Sequence, residues 1–261
     1  MKVLLYLFVI LYCVIGQTNE KVANSENDIT IKYQELKMAA IDGDINSQYE
    51  IFNFVNSNND PKLNEHLTEA FKFMIKAGDA GHTEAQFTIG SMYQAGNLLE
   101  KNSDVALGWL LGAAKNDHRK AQLLVGNNYS IRAIDATEAK VKNENNELAI
   151  YWYEKSIIDS SIMALKQYGI FLFMIDTFSA KADKLLSQVA ESGDSEAMYW
   201  LGKMYAHRWN DNKGDVEFEL AHSWLEKAKL NGYKSQEFID GLNERKKNYL
   251  ERIAKENKEE Q

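Results

Sequence analysis

The sequence is poor in residues that break helices and in residues that staple small folds. Its 261 residues include one proline, Pro61, and one cysteine, Cys13. Proline fixes φ, removes an N–H donor and punctuates loops and strand edges, so its near absence suits long helices joined by short turns. A lone cysteine excludes an intrachain disulfide and a cysteine-built metal site, so packing must hold the fold. Positive charge is also short: the formal net charge is −8. That balance argues against non-specific binding to nucleic acid or to anionic membranes, both of which need clustered Lys and Arg. Catalytic signatures are missing too. There is no glycine-rich phosphate loop, no His-x-x-x-His pair and no cysteine cluster. The histidines His66, His82, His118, His207 and His222 are scattered, and no metal or cofactor is expected.

What the chain has instead is 45% hydrophobic residues, too many for a disordered polymer, and a supply of Ala, Leu, Lys, Glu and Met, which are good helix formers. One long apolar run stands out, Val3 to Ile15, with Lys2 as the only charge before Glu20. Its 13 residues match a signal-peptide core and fall short of the ~20 needed to span a bilayer. Residues 1–16 are therefore expected to be a signal peptide cut before Gln17; the other reading is an uncleaved anchor, and only then would a membrane be involved. Residues 17–30, polar and Asn-rich, read as a flexible leader.

The remainder repeats. Ala39-Ala40-Ile41-Asp42-Gly43-Asp44 recurs as Ala77-Gly78-Asp79-Ala80-Gly81-His82 and as Ala113-Ala114-Lys115-Asn116-Asp117-His118, with weaker copies at 156–161, 189–194 and 228–233. From Gly43 through Gly81, Asp117, Ser160, Gly193 and Gly232 the steps are 38, 36, 43, 33 and 39 residues, the period of stacked supersecondary units. The glycine of each copy is expected to end a helix in the left-handed region, Asp117 taking the same conformation at some cost and Ser160 fitting less well. A new helix follows, and Thr83 with Gln86 has the spacing of a capping box. Inside these helices stand Gly90, Gly126, Gly169 and Gly202 in one phase, each four residues after the position that follows an alanine (Ala85, Ala121, Ala164, Ala197). A helix-interior glycine costs about 1 kcal/mol relative to alanine, and close helix approach would explain it. The second helix of each unit carries a small and a large residue three apart: Ala70 and Phe73, Ala106 and Trp109, Ala149 and Trp152, Ala182 and Leu185, Ala221 and Trp224. That spacing puts both on one face, ready to interdigitate between hairpins.

The pattern Ala-x-x-x-Leu-Gly-x-x-Tyr, a loop, then Ala-x-x-Trp-x-x-x-Ala-Ala-x-x-Gly resembles the Sel1-like repeat, a relative of the tetratricopeptide repeat. Residues 83–118 are the best copy and 195–228 the next. Residues 44–80 keep only the junction and the Ala70–Phe73 pair, the unit over 162–193 lacks the loop glycines and the tyrosine, and 131–146 reads as a long charged loop. The resemblance implies an all-α fold: a right-handed α-solenoid of stacked antiparallel helix hairpins, about five over residues 31–242, closed by a charged C-terminal capping helix or tail over 243–261. After Gly232, Phe238, Leu242, Tyr249 and Ile253 lie on one helical stripe.

Such arrays curve, and in tetratricopeptide arrays the first helix of each hairpin lines the concave face. Taking the four interior glycines as a common phase, the groove candidates are Glu84, Ser91 and Gln94; Asn127 and Ser130; Lys166 and Phe173; and Glu196, Tyr199, Lys203 and His207. Trp209, placed in the loop after the helix beginning near Ser195, is either an exposed anchor or a loop staple. His82 and His118 share the position held elsewhere by Asp44 and Asp194, which marks it as a turn position rather than a metal ligand. The expected function is a non-enzymatic, exported scaffold that binds a protein or peptide and acts as adaptor, regulator or immunity-type inhibitor. The alternative is a cell-wall- or beta-lactam-directed hydrolase of the secreted Sel1 type, and the oligomeric state is left open.

Overall fold

The computed structural model describes residues 28–58, 60–159 and 161–259. The expected signal peptide lies outside these residues, as do most of the expected leader and the junction residue Ser160. Among the described residues every regular element is a helix: α1 (28–41), α2 (Ile45–Ser57), the single turn α3 (Pro61–Asn64), α4 (Leu67–Asp79), α5 (Thr83–Ala95), α6 (Ser103–Lys115), α7 (Arg119–Asp135), α8 (Ala139–Ser156), α9 (Ile162–Ile175), α10 (Ala180–Glu191), α11 (Ser195–Asn212), α12 (Asp215–Leu230) and α13 (Gln236–Glu259). Pro61, the lone proline, sits at the first position of α3, where its missing N–H costs nothing. The chain divides into two compact units, with the boundary after Ala121 in the first turn of α7. In the first unit α2 packs on α4 and α5 on α6; in the second α9 packs on α10 and α11 on α12, with α13 against α12. No described helix is long and apolar enough to cross a membrane.

The recurring junction is a helix stop followed at once by a helix start. Gly81 has φ +91°, and its counterparts Gly43, Gly193 and Gly232 are also left-handed; Asp117 adopts φ +59°. The next residue then donates its N–H back to the carbonyl five residues earlier: Asp44 to Ala39, His82 to Ala77, His118 to Ala113 and Tyr233 to Ala228, at 2.9–3.2 Å. This Schellman closure satisfies the end of one helix. The same residue caps the start of the next. Asp44 Oδ1 accepts from Ser47 N (2.6 Å), His82 Nδ1 from Ala85 N (3.1 Å), His118 Nδ1 from Ala121 N (3.0 Å) and Asp194 Oδ1 from Ala197 N (2.8 Å). Asp and His interchange here because both place an acceptor within reach of the third N–H. The capping box expected from Thr83 and Gln86 is displaced by this arrangement. Thr83 is already inside α5, His82 is the cap, and Gln86 Nε2 donates instead to the Gly78 carbonyl at 3.0 Å. Gln48 makes the equivalent strap to Ala40.

The interior glycines mark contact points within hairpins. A Cβ on Gly90 would lie 2.7 Å from Leu110 on α6, one on Gly126 would lie 3.0 Å from the Tyr153 ring on α8, and one on Gly169 would lie 2.9 Å from Leu186 on α10. The small–large pairing between hairpins is also present: Trp109 covers Gly78 of the preceding hairpin, its ring 2.8 Å from where a Cβ would stand. Buried residues then fill each unit, among them Tyr33, Ile51, Phe52, Met74 and Ile89 in the first and Tyr153, Tyr168, Leu186, Leu201 and Met204 in the second. Each large apolar side chain fully buried contributes roughly 1.5–3 kcal/mol.

Three expected boundaries move. Residues 131–146 are mostly helix, since α7 runs to Asp135 and α8 begins at Ala139. Charged Lys and Glu are good helix formers, and an i,i+4 contact such as Lys140–Glu144 (3.9 Å) lets a solvated stretch stay helical. The capping helix starts at Gln236 rather than 243, with Ser235 buried beneath it and donating to the Leu225 carbonyl at 2.9 Å. Finally α11 continues to Asn212, so Trp209 is helical and not in a loop.

Candidate functional site

The first-helix face of the array is built by a ladder between successive repeats. In four of the repeats the fifth residue of the first helix, Tyr49, Phe87, Lys166 or Tyr199, faces the residue that follows the next helix stop. In the first unit Tyr49 stacks on His82 with centroids 4.5 Å apart, and Phe87 on His118 at 4.2 Å. In the second unit Lys166 pairs with Asp194 at 2.8 Å, and Tyr199 stacks on Tyr233 at 4.7 Å. Ring meets ring and ammonium meets carboxylate, so the two positions change chemistry together. Lys166 and Tyr199, expected as groove residues, thus also join repeats.

Burial opposes the charges of the Lys166–Asp194 pair, whose side chains are 14% and 22% exposed. Asp194 and Glu196 nevertheless hold the Lys166 ammonium above its ordinary value, and Lys166 with the Ala197 N–H holds the Asp194 carboxyl below its own. The sign follows. A carboxyl lowered in the folded state contributes stability above its unfolded pKa and loses it as pH falls through the folded value. Asp194→Asn keeps a competent cap but removes the charge. It is expected to cost about 1 kcal/mol at neutral pH, with the difference from the parent closing in acid. Urea midpoints of both proteins across pH check this, and a difference unchanged in acid would contradict it.

Within the second unit the structure brings Phe173, Glu196, Tyr199, Lys203 and His207 onto neighbouring helices. Phe173 on α9, itself buried, meets the edges of Trp200 (6.3 Å) and His207 (5.6 Å) on α11. Lys203 Nζ lies 4.4 Å from the Trp200 ring centre and 5.9 Å from that of Tyr199. Tyr199 in turn meets Phe238 of α13 at 5.9 Å. The result is a half-buried strip of rings running from α9 across α11 to α13, overlaid by Lys203 and ending at the Lys166, Asp194 and Glu196 cluster. Trp200, Tyr233 and Phe238 were not among the expected residues. The i, i+3, i+7 spacing of Trp200, Lys203 and His207 was the available signal for the first of them.

The other expected residues are placed differently. Asn127 Oδ1 accepts from the Tyr153 hydroxyl at 2.7 Å, and Ser130 Oγ, which donates to the Asn127 carbonyl at 2.8 Å, stands 3.5 Å from the same hydroxyl, so both serve the α7–α8 contact. Burial pushes the Tyr153 hydroxyl up to about 12. In the first unit Glu84 is exposed, its Oε1 3.3 Å from His118 Nε2. The Ser91 hydroxyl and the Gln94 side-chain oxygen are shielded from solvent. Trp209 is a correction: it is 1% exposed and packed edge-on against Phe218 (5.5 Å) and Tyr249 (6.2 Å), so it is core and not an exposed anchor. One polar network also escaped the sequence. Arg208 joins Asp183 at 2.7 Å and the Thr177 carbonyl at 2.9 Å, while the Tyr205 hydroxyl donates to the same Asp183. Burial, then the Asp183 charge, pushes Tyr205 up to about 12. Among the described residues no group of three or more His, Cys, Asp or Glu is arranged to hold a metal ion.

Hairpins joined by a fixed stop-and-cap junction, with ring and charge pairs linking one repeat to the next, define an α-solenoid repeat protein whose first-helix face presents side chains for contact. The chain carries Sel1 repeats: the Sel1 repeat family matches residues 64–82, 83–118, 139–158 and 195–233. The unmatched stretches include 162–193, the unit without the loop glycines, and 119–138. The crystal structure of a Sel1 repeat protein from Oxalobacter formigenes is similar over 76% of each chain, with a TM-score of 0.53 at 21% identity, a likeness of fold. Among curated proteins, the chitin synthase regulator SKT5 of Saccharomyces cerevisiae is 26% identical over 107 residues. That stretch is 41% of this chain and 15% of the yeast protein, so the chain corresponds to a small part of that relative. Sel1 repeats form a protein-interaction scaffold, and that much holds for this chain.

Proposed function

We propose that this chain is a non-enzymatic scaffold that holds a protein or peptide partner on the α9–α11–α13 strip. It acts outside the cytoplasm as an adaptor, regulator or immunity-type inhibitor. The observation that carries the reading is the half-exposed strip of Tyr199, Trp200 and Lys203 bordered by His207 and Glu196. Aromatic side chains with a desolvated polar neighbour are what concentrate binding energy at interfaces. The regulator named in yeast supports the class of role. Export rests on Lys2 and the apolar run from Val3 to Ile15.

A photo-crosslinking residue at position 203 or 207 tests the site in cells. One dominant protein adduct is expected from these positions and none from position 229, an exposed lysine of α12. Lys203→Glu should weaken that complex about tenfold in a purified binding assay. Equal adducts from position 229 would remove the strip as the site. Turnover of a beta-lactam or of peptidoglycan by the purified protein, lost in Glu196→Gln, would replace the scaffold by the hydrolase. For export, the expected N-terminus of the extracytoplasmic protein is Gln17; recovery of the whole chain from the cytosol would rule export out.

A further inference from the structure

The end of the second unit carries cations that the strip does not use. Helix α13 brings Arg245, Asn248, Tyr249 and Arg252 to one face, at i, i+3, i+4 and i+7. The left-handed residue that stops α11, Lys213 with φ +55°, lies against the same face. With Trp209 as part of the wall, these side chains line a cavity of about 390 Å³. The rings hold the cations in position. Lys213 Nζ is 4.5 Å from the Trp209 ring centre and 5.7 Å from that of Tyr249, and the Arg252 guanidinium is 5.7 Å from Tyr249. Arg245 lies 5.6 Å from the Phe238 ring and donates Nε to the Gly241 carbonyl at 3.2 Å.

These cations are short of anions. Among the described side chains no carboxylate stands within ion-pair distance of Lys213 or Arg245, and Arg252 meets only Glu256, at 3.7 Å in solvent. Lys246 on the same helix shows the contrast: it sits between Asp215 (3.6 Å) and Glu219 (3.3 Å). In a chain of net charge −8 the convergence of three under-neutralised cations on one cavity is a local reversal of sign.

The geometry points to this cavity as a docking site for a short acidic segment of a partner protein, its Asp and Glu side chains pairing with Lys213, Arg245 and Arg252. The guanidinium forks of Arg245 and Arg252 suit carboxylates, and the Asn248 carboxamide adds a donor. Cations already held on rings lose less freedom on binding. Chain length decides against an extended polyanion. Nucleic acid or an anionic membrane would run past the cluster onto Glu256, which already pairs with Arg252, and onto Asp215 and Glu219, which flank Lys246 of the same helix. A short acidic segment ends where the cations end. The site adjoins the α13 end of the strip, where Arg245 lies over Phe238, but its cations are not the side chains of the proposed strip and it does not depend on the role proposed for them.

Titration of the full chain with a short glutamate-rich peptide, its glutamine counterpart, single-stranded DNA and inorganic phosphate tests this. Binding of the glutamate peptide alone is expected, weakening with added salt. The double variant Arg245→Gln with Arg252→Gln should lose about tenfold or more in affinity, and Lys246→Gln should leave it unchanged. Both arginines are exposed, and unaltered circular dichroism confirms that the double variant folds. Failure of the glutamate peptide to bind, equal binding of the glutamine peptide, preference for DNA or phosphate, or an equal loss in Lys246→Gln would each overturn the assignment.

Discussion

Replacing Trp209 by alanine is expected to lower the stability of the second unit by roughly 3–5 kcal/mol. The indole is 1% exposed and holds together three segments: its own helix α11, Phe218 of α12 and Tyr249 of α13. Truncation leaves a cavity where the last hairpin and the closing helix meet, in the cluster with Phe218, Leu225, Ile239 and Leu242. Trp209→Phe keeps an edge-on ring against Phe218 and should cost markedly less. Urea unfolding followed by far-UV circular dichroism reads both. A change within about 0.5 kcal/mol, the size expected for an ordinary surface position, would show that the ring is not core. The alanine variant also removes the platform under Lys213, 4.5 Å away, so acidic-peptide binding should weaken in whatever fraction remains folded.

Two glycines in helix interiors are expected to respond with opposite signs. Gly202 of α11 faces α12 so closely that a Cβ would lie 2.8 Å from Leu225 Cγ and 3.1 Å from the backbone carbonyl of Ala221. A side chain could give way, but a helix backbone cannot without separating the pair. Gly202→Val therefore overpacks the hairpin, and a loss of about 1–3 kcal/mol is expected. Gly241 of α13 has no atom within 4 Å of its Cβ position. There the intrinsic preference of a helix for alanine is unopposed, and Gly241→Ala should gain up to about 1 kcal/mol. Thermal or urea midpoints of the two variants decide it. Equal signs would mean that helix approach is not what keeps Gly202 a glycine.

Much of the fold was legible because repeats write the same physics several times. The junction glycines, Asp117 in the left-handed region, the interior glycines and the small–large pairs were visible as recurrences at a period near 38 residues; the glycines and Asp117 have the expected structural role, and Trp109 packs between hairpins as expected. The histidines were half legible. Sharing a position with Asp44 and Asp194 marked His82 and His118 as turn residues, but that they cap through Nδ1 depends on the exact end of the preceding helix. Elements without a repeat partner were read less well. The stretch over 131–146 looked like a loop because its charges carry no apolar period, and the helix through Trp209 looked finished because no glycine-phase signal extends it.

The candidate site divides along the same line. A sequence with little proline, one cysteine, an acidic balance and a recurring stop-and-cap junction determines by itself a packed array of helical hairpins, because those choices are local: each is made by a turn or two of backbone and its own side chains. Which side chains remain available to a partner is not local. Asn127 is taken up by Tyr153, Lys166 by Asp194 and Glu196, and Trp209 by Phe218 and Tyr249, while Trp200 and Phe238 take on importance only through neighbours many residues away. Those assignments belong to the tertiary structure, since helical phase says which way a residue points but only the packed neighbour decides whether water, an ion partner or a ring stands opposite it.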